Sequence, residues 1–545
     1  MELRPPARAI ALTGFMGTGK TTVGRLLAES SGLEFVDTDE LIEAETGKSI
    51  PRIFEEGGEA HFRELESDAL TDALSRPNRV ISTGGGMLLR RANLQALREA
   101  GPIVCLGADA DAIVARTTGD DSERPLLHVK DPASRVNELL AERAGCYAQA
   151  DYQMDTTGLT PAEVLDDLMT LLKRDARARW LLGAVTKVPV GIPDNEYEIV
   201  VGRGLIDDLG EIVPPQEQGV TCAVITTDRI EPLYAERVRR SLGDAGWDVR
   251  LLTVADGEGS KSLAVVGKLW ESMAQAGLDR GSAVFALGGG VVGDVAGFAA
   301  ATYMRGVDLF HLPTSLLAQV DSSIGGKTAI DLSAGKNLAG AFHQPSAVVT
   351  DVATLATLPE PEMRSGLGEI IKHACCFDAE MFDFMAKRHS DILRKDAAAL
   401  EYLVARNCQI KARIVTEDPH EQGLRAVLNY GHTVGHALER AAPEWALRHG
   451  EVVGAGIVAE SRLAAWLGLA TEDTARRQER LIANYGLPTR VHGIDEGLAD
   501  ETLERDKKMI AGRLRIPLVT EIGSFEIVED VDLKMVRQAL HSVLR

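Results

Sequence analysis

At 545 residues, with 45% apolar and 26% charged side chains, the chain exceeds what one hydrophobic core supports, so two or three domains are expected. A formal charge of -22 argues against a nucleic-acid partner, which would need a net basic face, and leaves small anionic ligands held by local basic clusters. Six scattered cysteines without CxxC spacing suit reduced thiols, and neither an apolar signal core nor an apolar run of about 18 residues is present, so a cytoplasmic enzyme with no membrane partner is expected.

Residues 9–13 read as a short buried strand and residues 21–30 as an amphipathic helix, bracketing Gly14-x4-Gly19-Lys20-Thr21. Strand, glycine loop and helix form a phosphate loop. The backbone of Gly17, Thr18 and Gly19 wraps phosphates, Lys20 reaches the terminal ones, Thr21 holds Mg2+, and Thr22 follows in the helix. Apolar runs at 80–82 and 103–106 alternate with helical patterns, which predicts a parallel sheet flanked by helices. Between them lie Asp37-Thr-Asp39, Phe62-Arg63-x-x-Glu66 and Gly84-Gly85-Gly86; Arg124-Pro-Leu-Leu127, Arg143 and Tyr147 come after. Taken singly, an aspartate of Asp37-Thr-Asp39 fits a helix cap and Arg63 a surface ion pair.

With these elements in this order, the first 174 or so residues resemble shikimate kinase. The resemblance implies that Asp39 holds the attacking hydroxyl of shikimate, Asp37 acts on the Mg2+ shell, and Arg63 and Arg143 pair with the substrate carboxylate. It also implies that Gly84, Gly85 and Gly86 let the ring approach the backbone, and that Arg124, a contact to ATP, sits on a lid, roughly residues 112–127, that closes over the transferring phosphoryl group. A kinase of another small molecule is the alternative.

The α/β pattern fades after residue 172. A charged stretch, 173–180, and then Pro189, Gly191 and Pro193 precede a new strand at 197–201, so residues 175–185 are expected to be a linker. Residues 186–352 alternate strands (222–226, 283–287) with helices, and residues 353–545 are expected to be mostly helical. Gly288-x-Gly290-x-x-Gly293 follows a strand, a weak dinucleotide signal whose expected downstream acid is not clear; Asp228, ending an earlier strand, could bind the ribose. Glu369, His432, His436 and His449 supply one carboxylate and two or three imidazoles, a plausible zinc set with an open position. His432 and His436, four apart on a helix, could both ligate.

Residues from about 186 onward resemble 3-dehydroquinate synthase through Gly288 to Asp294, Gly297-Phe-x-Ala-Ala-x-x-Tyr-x-Arg305, Asp321-Ser-Ser-Ile-Gly-Gly-Lys327, Gly335-Lys336-Asn337, Gly368-Glu369-x-x-Lys372, Arg425-x3-Asn429-x2-His432-x3-His436 and Asp506-Lys507-Lys508. The resemblance implies zinc (or cobalt) on Glu369, His432 and His449, with His436 on the substrate phosphate or in proton relay. It implies NAD contacts from Asp228, Glu258, Lys261, Gly289, Gly290, Asp294, Thr314, Ser315, Lys336 and Thr357. Substrate contacts would come from Asp321, Lys327, Asn337, Lys372, Lys411, Arg425, Asn429 and Lys508, and Arg305 would reach across a homodimer. The implied reaction converts 3-deoxy-D-arabino-heptulosonate 7-phosphate into 3-dehydroquinate and phosphate. Zinc- and NAD-dependent polyol dehydrogenases, other sugar-phosphate cyclases and a catalytically silent fused domain are the alternatives.

Overall fold

The computed structural model describes every residue except 1–3, 5, 118–130, 420, 422, 444–446, 505–508, 511–512 and 545. The described residues form two compact units, Met1–Ala184 and Val185–Arg545.

In the first unit the apolar runs become a parallel sheet of five strands: β1 (Ala9–Gly14), β2 (Glu34–Asp37), β3 (Arg79–Ser82), β4 (Ile103–Gly107) and β5 (Tyr152–Asp155), in the order β2-β3-β1-β4-β5. Every residue of β1 is buried because strands pair with it on both sides and helices cover both faces, which is why its sequence is nearly all apolar. The helices are α1 (Lys20–Ser31), α2 (Thr38–Thr46), α3 (Ile50–Ala73), α4 (Arg91–Ala100), α5 (Ala110–Thr117), α6 (Pro132–Tyr147) and α7 (Pro161–Arg174). Such a sheet places its ligand crevice at the carboxyl ends of the strands, and the glycine loop after β1, Asp37 closing β2 and the glycines after β3 converge there.

Residues 175–184, expected as linker, instead fold onto this unit. Asp175 Oδ1 accepts from the Arg177 and Ala178 amides, both at 2.8 Å, and Arg177 O accepts from the Ala7 amide at 3.1 Å. Trp180 is fully buried and donates from Nε1 to Arg4 O at 2.8 Å. The charged composition suggested an exposed tether, but the tryptophan supplies an anchor that ties the end of the unit to its beginning.

The second unit opens with a seven-stranded sheet in the order β6-β7-β14-β11-β10-β8-β9. It comprises β6 (Thr186–Val190), β7 (Tyr197–Gly202), β8 (Thr221–Thr227), β9 (Asp248–Val254), β10 (Ala283–Gly288), β11 (Asp308–Pro313) and β14 (Ala347–Asp351), all parallel except β6, which runs antiparallel to β7. An antiparallel hairpin, β12 (Lys327–Leu332) and β13 (Gly335–Phe342), stands apart from it. Helices α8 (Leu209–Ile212), α9 (Glu236–Asp244), α10 (Leu263–Gln275) and α11 (Gly290–Thr302) accompany the sheet.

From Glu360 onward helices dominate: α12 (Glu360–Phe377), α13 (Ala379–Leu393), α14 (Ala397–Glu417), α15 (His432–Ala441), α16 (His449–Trp466), α17 (Glu472–Asn484), α18 (Glu496–Glu504) and α19 (Leu533–Ser542). α15 and α16 cross closely enough that a Cβ on Gly456 would lie 1.9 Å from Gly431 O. This half also carries a three-stranded antiparallel sheet absent from the sequence reading: β15 (Met509–Ile510), β16 (Arg513–Glu521) and β17 (Ser524–Asp532). Its turn contains Gly523 at φ 88°, whose amide donates to Cys375 O at 2.8 Å and pins the hairpin to α12. Among the described residues no helix is long and apolar enough to cross a membrane.

Candidate active sites

The loop between β1 and α1 needs glycine. Gly14, Gly17 and Gly19 take φ values of 136°, 76° and 94°, a region side chains rarely adopt. The loop borders a cleft of about 1280 Å3 lined by residues 16–23 together with Asp37, Asp39, Glu43, Phe54, Arg116 and Thr156. Within it Lys20 Nζ donates to Phe15 O at 2.9 Å. Asp37 uses both carboxylate oxygens: Oδ2 accepts from Thr21 Oγ1 at 2.9 Å and Oδ1 caps α2 by accepting from the Asp39 amide at 3.0 Å. Asp37 therefore caps α2 with one oxygen and faces the phosphate loop with the other.

Asp39 sits deeper. Burial, and then the neighbouring Asp37 charge, push its carboxyl up to about 7, with Lys20 opposing. Its Oδ1 and Glu66 Oε1 are both buried without a hydrogen-bond partner, and a Cβ on Gly84 would lie 2.8 Å from each. Glycine at 84 thus leaves room for these two carboxyl groups. A Cβ on Gly86 would lie 2.2 Å from Arg63 Nη1, and one on Gly85 3.2 Å from Arg143 Nη1. Arg63 donates to Glu66 at 2.5 Å and Glu59 at 3.0 Å, Arg143 stands over the Phe15 ring, and Tyr147 OH donates to Gly85 O at 3.0 Å. Two guanidinium groups and a buried carboxyl around glycine backbone that carries no side chains suit a ligand with a carboxylate and hydroxyls. Glu66, absent from the expected site residues, is legible in retrospect as the i+3 partner of Arg63. Arg124 and most of the expected lid lie outside the described residues.

In the second unit α11 begins directly after β10, with Gly289 as its N-cap. Side chains at Gly289 and Gly290 would come within 3.3 Å of Ser315 Oγ and 3.1 Å of Ser322 Oγ, so the turn leaves bare backbone at a helix N-terminus. Nearby, Lys261 Nζ donates to Asp294 Oδ2 at 2.7 Å and to Asn337, with Glu258 at 3.8 Å. The Thr314 amide donates to Gly288 O at 3.0 Å. Asp228 follows β8 and accepts from the Asp256 amide at 3.1 Å; Thr357 shares a 2.6 Å hydrogen bond with Tyr234 OH; Lys336 is exposed, 3.4 Å from Glu439.

The helices bring together Glu369 from α12, His432 from the start of α15 and His449 from the start of α16. Glu369 Oε1 lies 3.5 Å from His432 Nε2 and 3.3 Å from His449 Nε2, and this buried oxygen has no hydrogen-bond donor. Tetrahedral bonds of roughly 2.0–2.1 Å place ligand atoms about 3.3 Å apart, so the three atoms fit one zinc-sized ion. His432 Nδ1 is 3.1 Å from Tyr430 O, which leaves Nε2 unprotonated for a metal. His436 meets the His432 ring edge-on at 5.4 Å and is outside the triad. The i, i+4 spacing of His432 and His436 thus does not bring both rings into this donor group.

Two buried lysines flank the triad. Lys372 pairs with Glu369 Oε2; Lys411 donates to Asp321 Oδ1 at 2.5 Å and Asp321 O at 2.6 Å. Burial alone would raise the Glu369 carboxyl, but Lys372 and His432 hold it well below its ordinary value. Burial also drives His432 down, keeping it neutral and able to ligate. Lys327 pairs with Glu421, Arg425 is buried and donates to Pro419 O at 3.0 Å, and Asn429 ends the same short turn, Leu424–Asn429. Arg305 is exposed at φ 74°, and Lys508 lies outside the described residues.

The family model of shikimate kinase matches residues 16–173, and the N-terminal and C-terminal models of 3-dehydroquinate synthase match residues 251–365 and 366–509. The 3-dehydroquinate synthase of Symbiobacterium thermophilum is 46% identical over 355 residues, spanning 65% of this chain and 99% of its own. This chain belongs to the 3-dehydroquinate synthase family. Its first unit is a shikimate kinase domain, so transferase and lyase families of one pathway share a polypeptide. A solved 2-epi-5-epi-valiolone synthase from Streptomyces hygroscopicus subsp. jinggangensis, with NAD+ and Zn2+ bound, is 28% identical with a TM-score of 0.58, covering 64% of this chain and 96% of that one. A solved shikimate kinase from Acinetobacter baumannii, in complex with shikimate, is 38% identical, covering 30% and 92% with a TM-score of 0.29.

Proposed function

We propose that the kinase unit phosphorylates the 3-hydroxyl of shikimate from Mg-ATP and that the synthase unit converts 3-deoxy-D-arabino-heptulosonate 7-phosphate to 3-dehydroquinate and phosphate with NAD+ and zinc. In the kinase unit, the loop amides and Lys20 hold the phosphates, Thr21 and Asp37 support Mg2+, Arg63 and Arg143 clamp the shikimate carboxylate, and Asp39 orients the hydroxyl. Phosphoryl transfer asks mainly for this positioning and charge neutralisation. Arg124 is assigned to the transferring phosphoryl group.

For the synthase, the observation that carries the reading is the spacing of Glu369, His432 and His449 beside Lys372, Asp321 and Lys411. Zinc bound there would supply Lewis acidity towards a substrate hydroxyl, and Gly289, Gly290, Asp294 and Lys261 would hold NAD+, whose nicotinamide would supply a transient hydride acceptor. The chain's own residues bind and orient. Lys327, Arg425, Lys508 and His436 take the anionic groups, while Asp321, Asn337, Asn429, Lys372 and Lys411 hold hydroxyls and protons. A polyol dehydrogenase has little use for this density of cationic groups. Arg305, exposed beside Met304, is assigned to the site of a second copy in a homodimer. Six buried, unpaired cysteines suit the reducing cytoplasm in which we place the enzyme.

The test is a paired assay on the full chain: phosphate release from the heptulosonate phosphate with NAD+ and Zn2+, and shikimate-dependent ADP formation with Mg-ATP. The expected result is that Lys20→Ala loses only the second activity and His432→Ala only the first. A wild-type protein lacking either activity overturns the assignment of that unit.

A further inference from the structure

His432 is the first residue of α15, and the residue before it, Gly431, is the N-cap at φ 77°. That position cannot carry a capping side chain. A Cβ there would lie 2.7 Å from Ile457 Cγ1 and 2.9 Å from Val453 O, because α16 crosses against it. The first amides of α15 are nevertheless buried and need an acceptor. It comes from the neighbouring helix: Glu460, with no exposed surface, accepts from the Gly431 amide at 2.6 Å through Oε2 and from the Val434 amide at 3.2 Å through Oε1.

The amide of Gly431 and the carbonyl of Tyr430 belong to one peptide unit. Glu460 holds its N–H side, and the His432 ring donates from Nδ1 to its C=O side at 3.1 Å. We propose that Glu460 is a positioning residue for the synthase metal, acting through the Tyr430–Gly431 peptide to fix and polarise the His432 ring. The proposal rests on the metal reading of Glu369, His432 and His449.

Two physical effects converge in this relay. A metal-bound histidine takes its orientation and basicity from the partner of its other ring nitrogen, and a peptide carbonyl is a better acceptor when its own N–H faces a carboxylate. In addition, the N-terminus of α15 carries roughly half a positive charge, directly beside a ligand that must hold a cation. A buried carboxylate at that terminus offsets this unfavourable field, which a neutral cap would leave in place.

The isosteric variant Glu460→Gln keeps the volume and one acceptor but removes the charge. In the full-length enzyme, stripped and titrated with zinc against a chromophoric chelator, E460Q is expected to bind zinc about 10–100-fold more weakly than wild type, the usual effect of losing such an outer partner. The visible spectrum of the cobalt form is expected to change as well, while shikimate kinase turnover stays at the wild-type rate. Gln478→Met removes another fully buried hydrogen bond, the 2.7 Å contact from Tyr430 OH, without touching the peptide, and is expected to keep wild-type zinc affinity.

Equal zinc affinity in E460Q and wild type overturns the proposal, as does an equal loss in Q478M. If His432→Ala binds zinc like wild type, the metal reading itself fails, which is a separate result. Should E460Q not fold, hydrogen exchange on wild type decides: the peptide covering residues 428–436 must become more protected when zinc binds, and unchanged exchange overturns the relay.

Discussion

Thr21 donates to Asp37 Oδ2 at 2.9 Å, across the gap between the phosphate loop and the end of β2. Because Asp37 Oδ1 is fixed by its cap contact with the Asp39 amide, Oδ2 is set to hold the Thr21 hydroxyl in place. Asp37→Asn is expected to keep the cap through its amide oxygen yet weaken Mg2+ support. Titrating Mg2+ in the kinase assay should show a raised Mg2+ requirement and at least a tenfold lower turnover, with the synthase rate unchanged. An unaltered Mg2+ curve would remove Asp37 from the metal shell.

Asp39 predicts a pH dependence. Its folded-state carboxyl stands at about 7, above the ordinary 3.8, so the folded kinase unit binds this proton more tightly than the unfolded chain. Stability from this group is present below about 3.8 and is lost as pH rises towards 7. Asp39→Asn should therefore raise the thermal midpoint of the kinase unit relative to wild type at pH 8 and much less at pH 4, while abolishing shikimate phosphorylation. Stabilisation that is equal at both pH values would mean that the charge is not the cause.

How much of this was legible in the sequence follows from how local each feature is. The phosphate loop and its flanking strand and helix lie within about one supersecondary unit, so spacing alone exposed them. The proposed metal ligands come from three helices, and spacing alone left His432 and His436 open as a pair, whereas the donor atoms of His432, Glu369 and His449 are the ones that cluster. Family resemblance, not periodicity, pointed to that group. The sheet β15–β17 escaped because Pro517 and two register shifts interrupt its alternation. Residues 175–184 escaped because their charge outweighed a single buried tryptophan, Trp180. Glu460 carried no motif at all, since its role depends on where α16 crosses α15.

Gly86 should separate binding from folding. A Cβ there would sit 2.2 Å from Arg63 Nη1, the flexible end of a side chain, and its backbone has φ -111°, which alanine tolerates. Gly86→Ala is thus expected to fold but displace the Arg63 guanidinium. Initial-rate kinetics should show a KM for shikimate raised roughly tenfold or more, the scale of losing one charge-assisted contact, with the KM for ATP unchanged. Matching changes in both constants would place Arg63 outside the acceptor site.

Lys372 and Glu369 form an ion pair that is buried on both sides, with side-chain exposures of 3% and 1%. Removing one member of such a pair leaves the other charge without compensation, at a cost of about 3–5 kcal/mol. Lys372→Met should therefore destabilise the metal-free synthase unit by that order in urea unfolding. The loss should be smaller at low pH. There Glu369, released from the Lys372 charge that holds its carboxyl down, takes up a proton and no longer needs a partner. It should also be smaller with zinc present, because the metal supplies positive charge to the same carboxylate. The two remedies act on one group, so at low pH zinc should add little stabilisation of its own. A destabilisation that ignores both pH and zinc would mean that lost packing around the lysine stem, and not the unpaired Glu369 charge, is what the variant measures.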